Sequence, residues 1–253
     1  MLKIRVIPCL LLKGLGLVKT VQFKNPRYIG DPINAVRIFN EKEADELIFL
    51  DITASEERRV ISLELVSKIA EECFMPFCVG GGIRTLEDIK QLLGAGAEKV
   101  AINTFAIEHP GFIKKASTMF GAQSIVVSID AKRRKDGSYE VYTCGGKNPT
   151  GLDPLEVALR VEKNGAGEIL LNSIDKDGTM EGYDIELIKS VARKLNIPVI
   201  ACGGAGKLEH FYDAVKNGGA SAVAAGSLFV YHGPRRAVLI NYPSKEELEK
   251  IFR

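Results

Sequence analysis

Two stretches of this chain repeat one another at half its length. VGGGIRTLEDIKQLLGAGAEKVAINT begins at Val79, and ACGGAGKLEHFYDAVKNGGASAVAAGS begins at Ala201, 122 residues later. Glu46 and Glu168, which open DELIFL and EILLNS, stand at the same offset. A repeat of this size in a 253-residue chain means that one supersecondary arrangement is used twice.

Within each copy, short β-branched apolar runs alternate with amphipathic stretches. The runs fall at 4–10, 45–52, 76–81, 99–104, 124–132, 168–174, 197–204 and 221–227. They are nearly continuous in apolar residues, as strands covered on both faces of a parallel sheet are. Helical periodicity fills 32–42, 62–73, 85–93, 110–119, 154–164, 185–195 and 208–217. Helix-start residues stand where they are needed: Asp31 before Pro32, Thr85 three residues before Asp88, and Asp153 before Pro154. Eight strand–helix units with right-handed crossovers predict an α/β protein, a (β/α)8 TIM barrel in one domain. Its two half-barrels would span about 1–122 and 123–253. The segments 13–31 and 133–150 are expected to be long loops, the second with a small hairpin about Asp136-Gly137.

Composition narrows the function classes. Thirty-four basic residues against thirty-two acidic ones exclude a polybasic nucleic-acid or membrane-surface protein. No apolar run approaches the roughly 20 residues that span a bilayer. MLKIRVIPCLLLKG runs directly into strand sequence and does not read as a signal peptide. The five cysteines (Cys9, Cys73, Cys78, Cys144, Cys202) lack metal spacing and read as reduced thiols of a cytoplasmic protein, those in strands as small core residues. His109, His210 and His232 have no partners at ligand spacing, so no metal or cofactor is expected.

In a barrel of this kind the reactive face lies at the strand C-termini. There the repeat supplies Gly80-Gly81-Gly82 with Asn103-Thr104 in one half, and Gly203-Gly204 with Gly226-Ser227 in the other. Glycines before helix starts let backbone N–H groups approach an oxyanion, so the chain offers two phosphate cradles. The carboxylates at strand ends are Asp51, Asp130, Asp175 and Asp177. Asp130 closes a wholly apolar strand and is the best acid/base candidate. Asp175 to Gly178 also reads as a turn, and it lacks the acids of a calcium loop. At the opposite face Arg5, Glu46, Lys99 and Glu168 open four strands. Spacing alone leaves open whether they form a ring or are solvated charges.

DELIFLDITAS, PFCVGGGIRT, KVAINT, VVSIDAKR, NGAGEILLNSIDKDGT and ACGGAGKLEHF together resemble HisF, the cyclase-subunit family of imidazole glycerol phosphate synthase. The resemblance runs from residue 1 to about 229. It implies a HisH-like glutaminase docked under the barrel floor, ammonia passing up the barrel, and a substrate with a phosphate at each end. By the same resemblance Arg5, Glu46, Lys99 and Glu168 gate the ammonia. Phosphate groups fall on Gly82, Asn103 and Thr104, and on Asp177, Gly178, Gly204, Gly226 and Ser227. Lys19 matches a position in the mobile first loop.

One departure stands out. The family's two catalytic aspartates map to Asp130 and to Leu11, where CLLLKGLGLVKT replaces a pattern like CLDVKDGRVVKG. Losing one acid/base partner reduces rate by roughly 10²–10⁴-fold. The combination is similar to the HisF-like, glycosyl-amidation-associated group, as is the tail at 232–244. Members of that group work with a glutaminase and an ATP-dependent PP-loop amidotransferase. Their implied task is acetamidino-sugar formation on a phosphorylated or nucleotide-sugar ligand for surface polysaccharide. The alternatives are a working cyclase of histidine biosynthesis and a non-catalytic phosphosugar-binding scaffold.

Overall fold

The computed structural model describes residues 3–253. Eight parallel strands close on themselves: β1 (Arg5–Lys13), β2 (Leu47–Asp51), β3 (Phe77–Gly80), β4 (Lys99–Ile102), β5 (Ile125–Arg133), β6 (Glu168–Ser173), β7 (Val199–Cys202) and β8 (Ala222–Ala225). Closure is made where β1 pairs with β8, Arg5 opposite Ala222 and Pro8 opposite Ala225. On its other edge β1 pairs with β2, Cys9 opposite Ile48 and Leu12 opposite Asp51. Helices separate the strands in sequence and cover the outside, so the (β/α)8 barrel expected from the repeat is the observed fold.

The helices start where the side chains can hold their free N–H groups. Asp31 accepts from the Asn34 amide, Thr85 and Asp88 cap each other reciprocally, and Asp153 accepts from Leu155 and Glu156. Side chains alternate in and out along each strand. Inward residues build one core of small and medium groups, including Ile7, Cys9, Cys78, Ala101, Leu170, Ala222 and Ala224. Outward residues build a second core against the helices, with Phe39, Phe49, Phe77 and Phe211 among the largest members.

Two segments differ from the sequence expectation, and the tail adds elements for which there was none. The 13–31 segment is a β-hairpin, not a loop: strand Gly16–Val21 pairs with β1 on one side and with Lys24–Gly30 on the other. That pairing also carries β1 three residues past the end expected from its apolar run. The 208–217 helix is a single turn, Glu209–Tyr212, which widens into a π-helical segment, Asp213–Gly218. The tail forms a short hairpin (Tyr231–His232 with Ala237–Val238) and a helix, Lys245–Phe252, capped by Ser244 and Glu247. The small hairpin about Asp136-Gly137 is present, with Arg133 opposite Tyr139. Among the described residues no helix is long and apolar enough to cross a membrane.

The tail is fastened by aromatic packing. Phe39 meets Phe229 at 6.5 Å and Tyr242 at 6.4 Å, both edge to face, and the Tyr242 hydroxyl donates to the Val6 carbonyl at 2.8 Å. Phe39 is fully buried. Phe39→Ala should therefore lower stability by about 3–5 kcal/mol, as urea unfolding would measure. A loss below about 1 kcal/mol would show that the tail and the barrel repack independently.

Candidate functional site

The first inward layer at the barrel floor is charged. Arg5 reaches Glu46 at 2.5 Å and Glu168 at 2.8 Å, and Lys99 reaches Glu46 at 3.0 Å and Glu168 at 3.2 Å. Each cation touches both anions, so the four side chains form a closed, neutral cycle. Burial alone would push the Arg5 guanidinium down, but Glu168 and Glu46 outweigh it and hold it above its ordinary range. The structure thus resolves what spacing left open: these are not independently solvated charges. Above the cycle lie the small apolar side chains of the inner core.

At the other end the strands open into a cavity of about 470 Å³, within the range of small-ligand sites. Nearly all the residues singled out at this face line it: Leu11, Lys19, Gly82, Asn103, Thr104, Asp130, Asp177, Gly178, Gly204, Gly226 and Ser227. Asp130 is 8% exposed, and its carboxyl is pushed up to about 7. Burial is the main cause and the charge of Asp177 the second, while hydrogen bonding from Ser128 and Asn172 draws it partly back. A carboxyl poised near neutrality can give or take a proton.

The other strand-end carboxylates are already committed. Asp51 holds Arg59 at 2.5 Å and accepts from the Thr53 and Ala54 amides. Asp175 accepts from the Arg133 amide at 2.7 Å. Asp177, expected at a phosphate position, uses its carboxylate otherwise: the Thr20 hydroxyl donates to it at 2.7 Å and the Phe23 amide at 3.2 Å. Its carbonyl accepts from the Gln22 amide at 2.9 Å. Asp177 therefore latches the first hairpin over the cavity. A carboxylate so placed repels an anion, so of this pair Gly178 is left to meet one.

The hairpin brings in Lys19. Its side chain is 5% exposed, and its ammonium makes one hydrogen bond among the described residues, to the Cys9 carbonyl at 3.4 Å. No carboxylate of the described residues pairs with it. A side chain on Gly226 would put its Cβ 1.8 Å from this nitrogen, so the glycine is what lets Lys19 enter. The buried Ser227 hydroxyl has no hydrogen-bond partner among the described residues. A buried donor without a partner is disfavoured by about 1–3 kcal/mol, which a bound anion would relieve. In the other half Asn103 donates to the Ser128 carbonyl at 2.9 Å, and the Thr104 hydroxyl accepts from the Cys144 amide at 3.0 Å. Those two side chains are internally satisfied.

Two contributors were invisible in the sequence. His210, read only as a helix residue, accepts the Gly206 amide at Nδ1 (3.1 Å) and so shapes the Gly203–Gly206 turn. Burial first, and Lys207 second, lower its basicity, which keeps that nitrogen an acceptor. Asn172, inward on β6 opposite both Asp130 and Cys202, has a buried Oδ1 with no partner among the described residues. Cys9 and Cys202 both line the cavity. No group of three or more metal-ligating side chains occurs among the described residues.

A family model described as histidine biosynthesis protein matches residues 5–234. The chain belongs to that family. Three similar proteins carry provisional names as imidazole glycerol phosphate synthase subunits of the HisF type. One from Pseudomonas aeruginosa, named subunit hisF2, is 51% identical over 249 residues, covering 98% of this chain and 99% of its own. Those from Leptospira interrogans and Leptospira borgpetersenii are each 49% identical over 253 residues, the full length of both chains. The protein described above is thus HisF-type from end to end.

The state of Asp130 in this HisF-type chain has a thermodynamic signature. From its ordinary 3.8 up to about 7 the folded protein keeps a proton that the unfolded chain has released. Folding is penalised progressively across that window, and fully above it. Asp130→Asn should be more stable than the parent by on the order of 2–4 kcal/mol above pH 7, the advantage vanishing toward pH 4. Urea unfolding at two pH values measures this. A difference independent of pH would show a carboxyl that ionises normally.

Proposed function

We propose that this chain is the ammonia-using barrel subunit of a glutamine-dependent synthase of the imidazole glycerol phosphate synthase type, with a HisH-like glutaminase bound at the floor. The names of the three relatives support that reaction over the acetamidino-sugar route. The observation that carries the ammonia role is the coaxial arrangement: the closed cycle of Arg5, Glu46, Lys99 and Glu168 at one end, small apolar side chains between, and Asp130 at the other. An apolar bore passes neutral ammonia and rejects ammonium, whose desolvation is prohibitive. Opening the cycle on glutaminase binding would admit the molecule at the floor. Asp130 would meet it at the mouth and hold or deliver the proton that the addition requires.

The phosphate ends of the substrate would rest on Gly82, Asn103 and Thr104 in one half, and on Gly178, Gly204, Gly226 and Ser227 in the other, with Lys19 supplying the unmatched positive charge. This division follows the two proposed half-barrels. Five free cysteines suit a cytoplasmic setting.

Leu11 favours a second reading. The inward position of β1 at the mouth carries no acid, so imidazole ring closure would have one carboxyl where the family uses two. Under this reading the ammonia goes to a different acceptor, through a PP-loop amidotransferase and for an acetamidino sugar.

One pair of experiments separates the readings. Mixed with a HisH-type glutaminase, the chain should stimulate glutamine hydrolysis, and absence of stimulation would overturn both. Complementation of a histidine auxotroph lacking its cyclase subunit then decides between them. Growth supports the synthase. Failure to grow despite stimulation supports the second acceptor, in keeping with the roughly 10²–10⁴-fold effect of a missing proton-transfer partner.

A further inference from the structure

Around the mouth the strands fall into four sectors. The two anion cradles follow β3–β4 and β7–β8, on opposite sides of the ring. A ligand anchored at both must cross the mouth with one flank toward β1–β2 and the other toward β5–β6.

These flanks differ in chemistry. The β5–β6 side presents Ser128, Asp130 and Asn172. The β1–β2 side presents Leu11 and Leu50, which stand in direct register across the two strands. Leu50 leans over Gly80 toward Ala101: a Cβ on that glycine would lie 2.9 Å from Leu50 Cδ2 and 3.0 Å from Ala101 Cβ. The result is a continuous apolar wall across β1 to β4. Asp51, which follows Leu50, is turned to Arg59, Thr53 and Ala54, and the Lys19 ammonium lies on the β8 side, against Gly226. A hydroxylated carbon pressed against this wall would lose its water and find no partner. An alkyl group would gain about 0.8 kcal/mol per buried methylene, a factor of about four in affinity.

We propose that Leu11 and Leu50 form an apolar subsite, which selects a bis-anionic ligand whose middle carries an alkyl or methyl-bearing group over one that is polyhydroxylated. This rests on the proposed reading of the cavity as a site for a ligand anionic at both ends.

Isothermal titration with hexane-1,6-diol bisphosphate and with fructose 1,6-bisphosphate tests it, using the parent chain, Leu11→Asn and Leu50→Asn, each checked for folding by circular dichroism. The parent should prefer the alkane ligand by about tenfold or more, the effect of two or more buried methylenes. Each Asn variant should shrink that preference to about threefold or less while retaining affinity for inorganic phosphate. Equal affinities in the parent, or a preference unchanged in both variants, would overturn the subsite and leave the bis-anion cavity standing. Failure of both bisphosphates to bind the parent would overturn the cavity reading and the subsite with it, and binding of fructose 1,6-bisphosphate alone would overturn the subsite.

Discussion

Desolvation inside the closed barrel governs where charge can stand. Once β1 pairs with both β8 and β2, inward side chains have no route to bulk water except at the two ends. Ionic groups are tolerable there only if they neutralise one another or are poised to meet a ligand. The floor takes the first solution. With two cations and two anions in a cycle, no member is left with an unmatched partner, and removing any one would strand a buried charge. The mouth takes the second. Asp130 accepts a raised pKa, and Lys19 has no counter-ion among the described residues. Between them the inner core is apolar, built from small and medium side chains such as Cys9, Ala101, Ile48 and Leu170.

The same contrast explains the strain at the first hairpin. Its two-residue turn places Gln22 and Phe23 at φ of 52° and 61°, a region that side-chain-bearing residues avoid. Nothing local favours this turn. Asp177 provides what the turn lacks, binding Thr20, Gln22 and Phe23 together. Because the charge of Asp177 also helps keep Asp130 protonated, closure of the hairpin and the protonation state of the cavity acid are linked through one carboxylate.

How far the sequence could be read follows from what each feature depends on. The eight strands were legible because a strand covered on both faces must be apolar nearly throughout, and KVAINT or EILLNSI cannot be much else. Capped helix starts were legible because Asp31, Thr85 and Asp153 act on their own neighbours. Asp130 stood out because a lone acid ending an apolar strand has few other uses. The hairpin at 16–30 was missed because its turn has no Asn-Gly signal and its stability comes from loop residues more than 150 positions away. The roles of Asp177 and His210 were missed for the same reason. Whether a carboxylate or an imidazole at a strand end is free or spent is decided by partners that only the fold brings within 3 Å or so. The floor cycle lies between these cases. Its residues were visible, but their pairing is a property of the closed barrel.

The substitution at Leu11 bears on what kind of chemistry the remaining groups can do. A single carboxyl near neutrality can act as a base and then as an acid, but not as both in one step. Ring closure with cleavage needs a proton removed at one atom while another is delivered across the ring, a task suited to two carboxyls on opposite strands. Addition of ammonia to an activated carbon needs only one group to take the proton that nitrogen sheds, and Asp130 is sufficient for that. In register with Leu50, Leu11 makes the wall opposite Asp130 apolar, and an apolar wall strengthens the interaction of Asp130 and Lys19 with any charge brought between them. The fold and the proposed ammonia route are therefore compatible with either acceptor. The choice between them is made at the mouth of β1, where one side chain decides whether the substrate meets a second acid or an apolar wall.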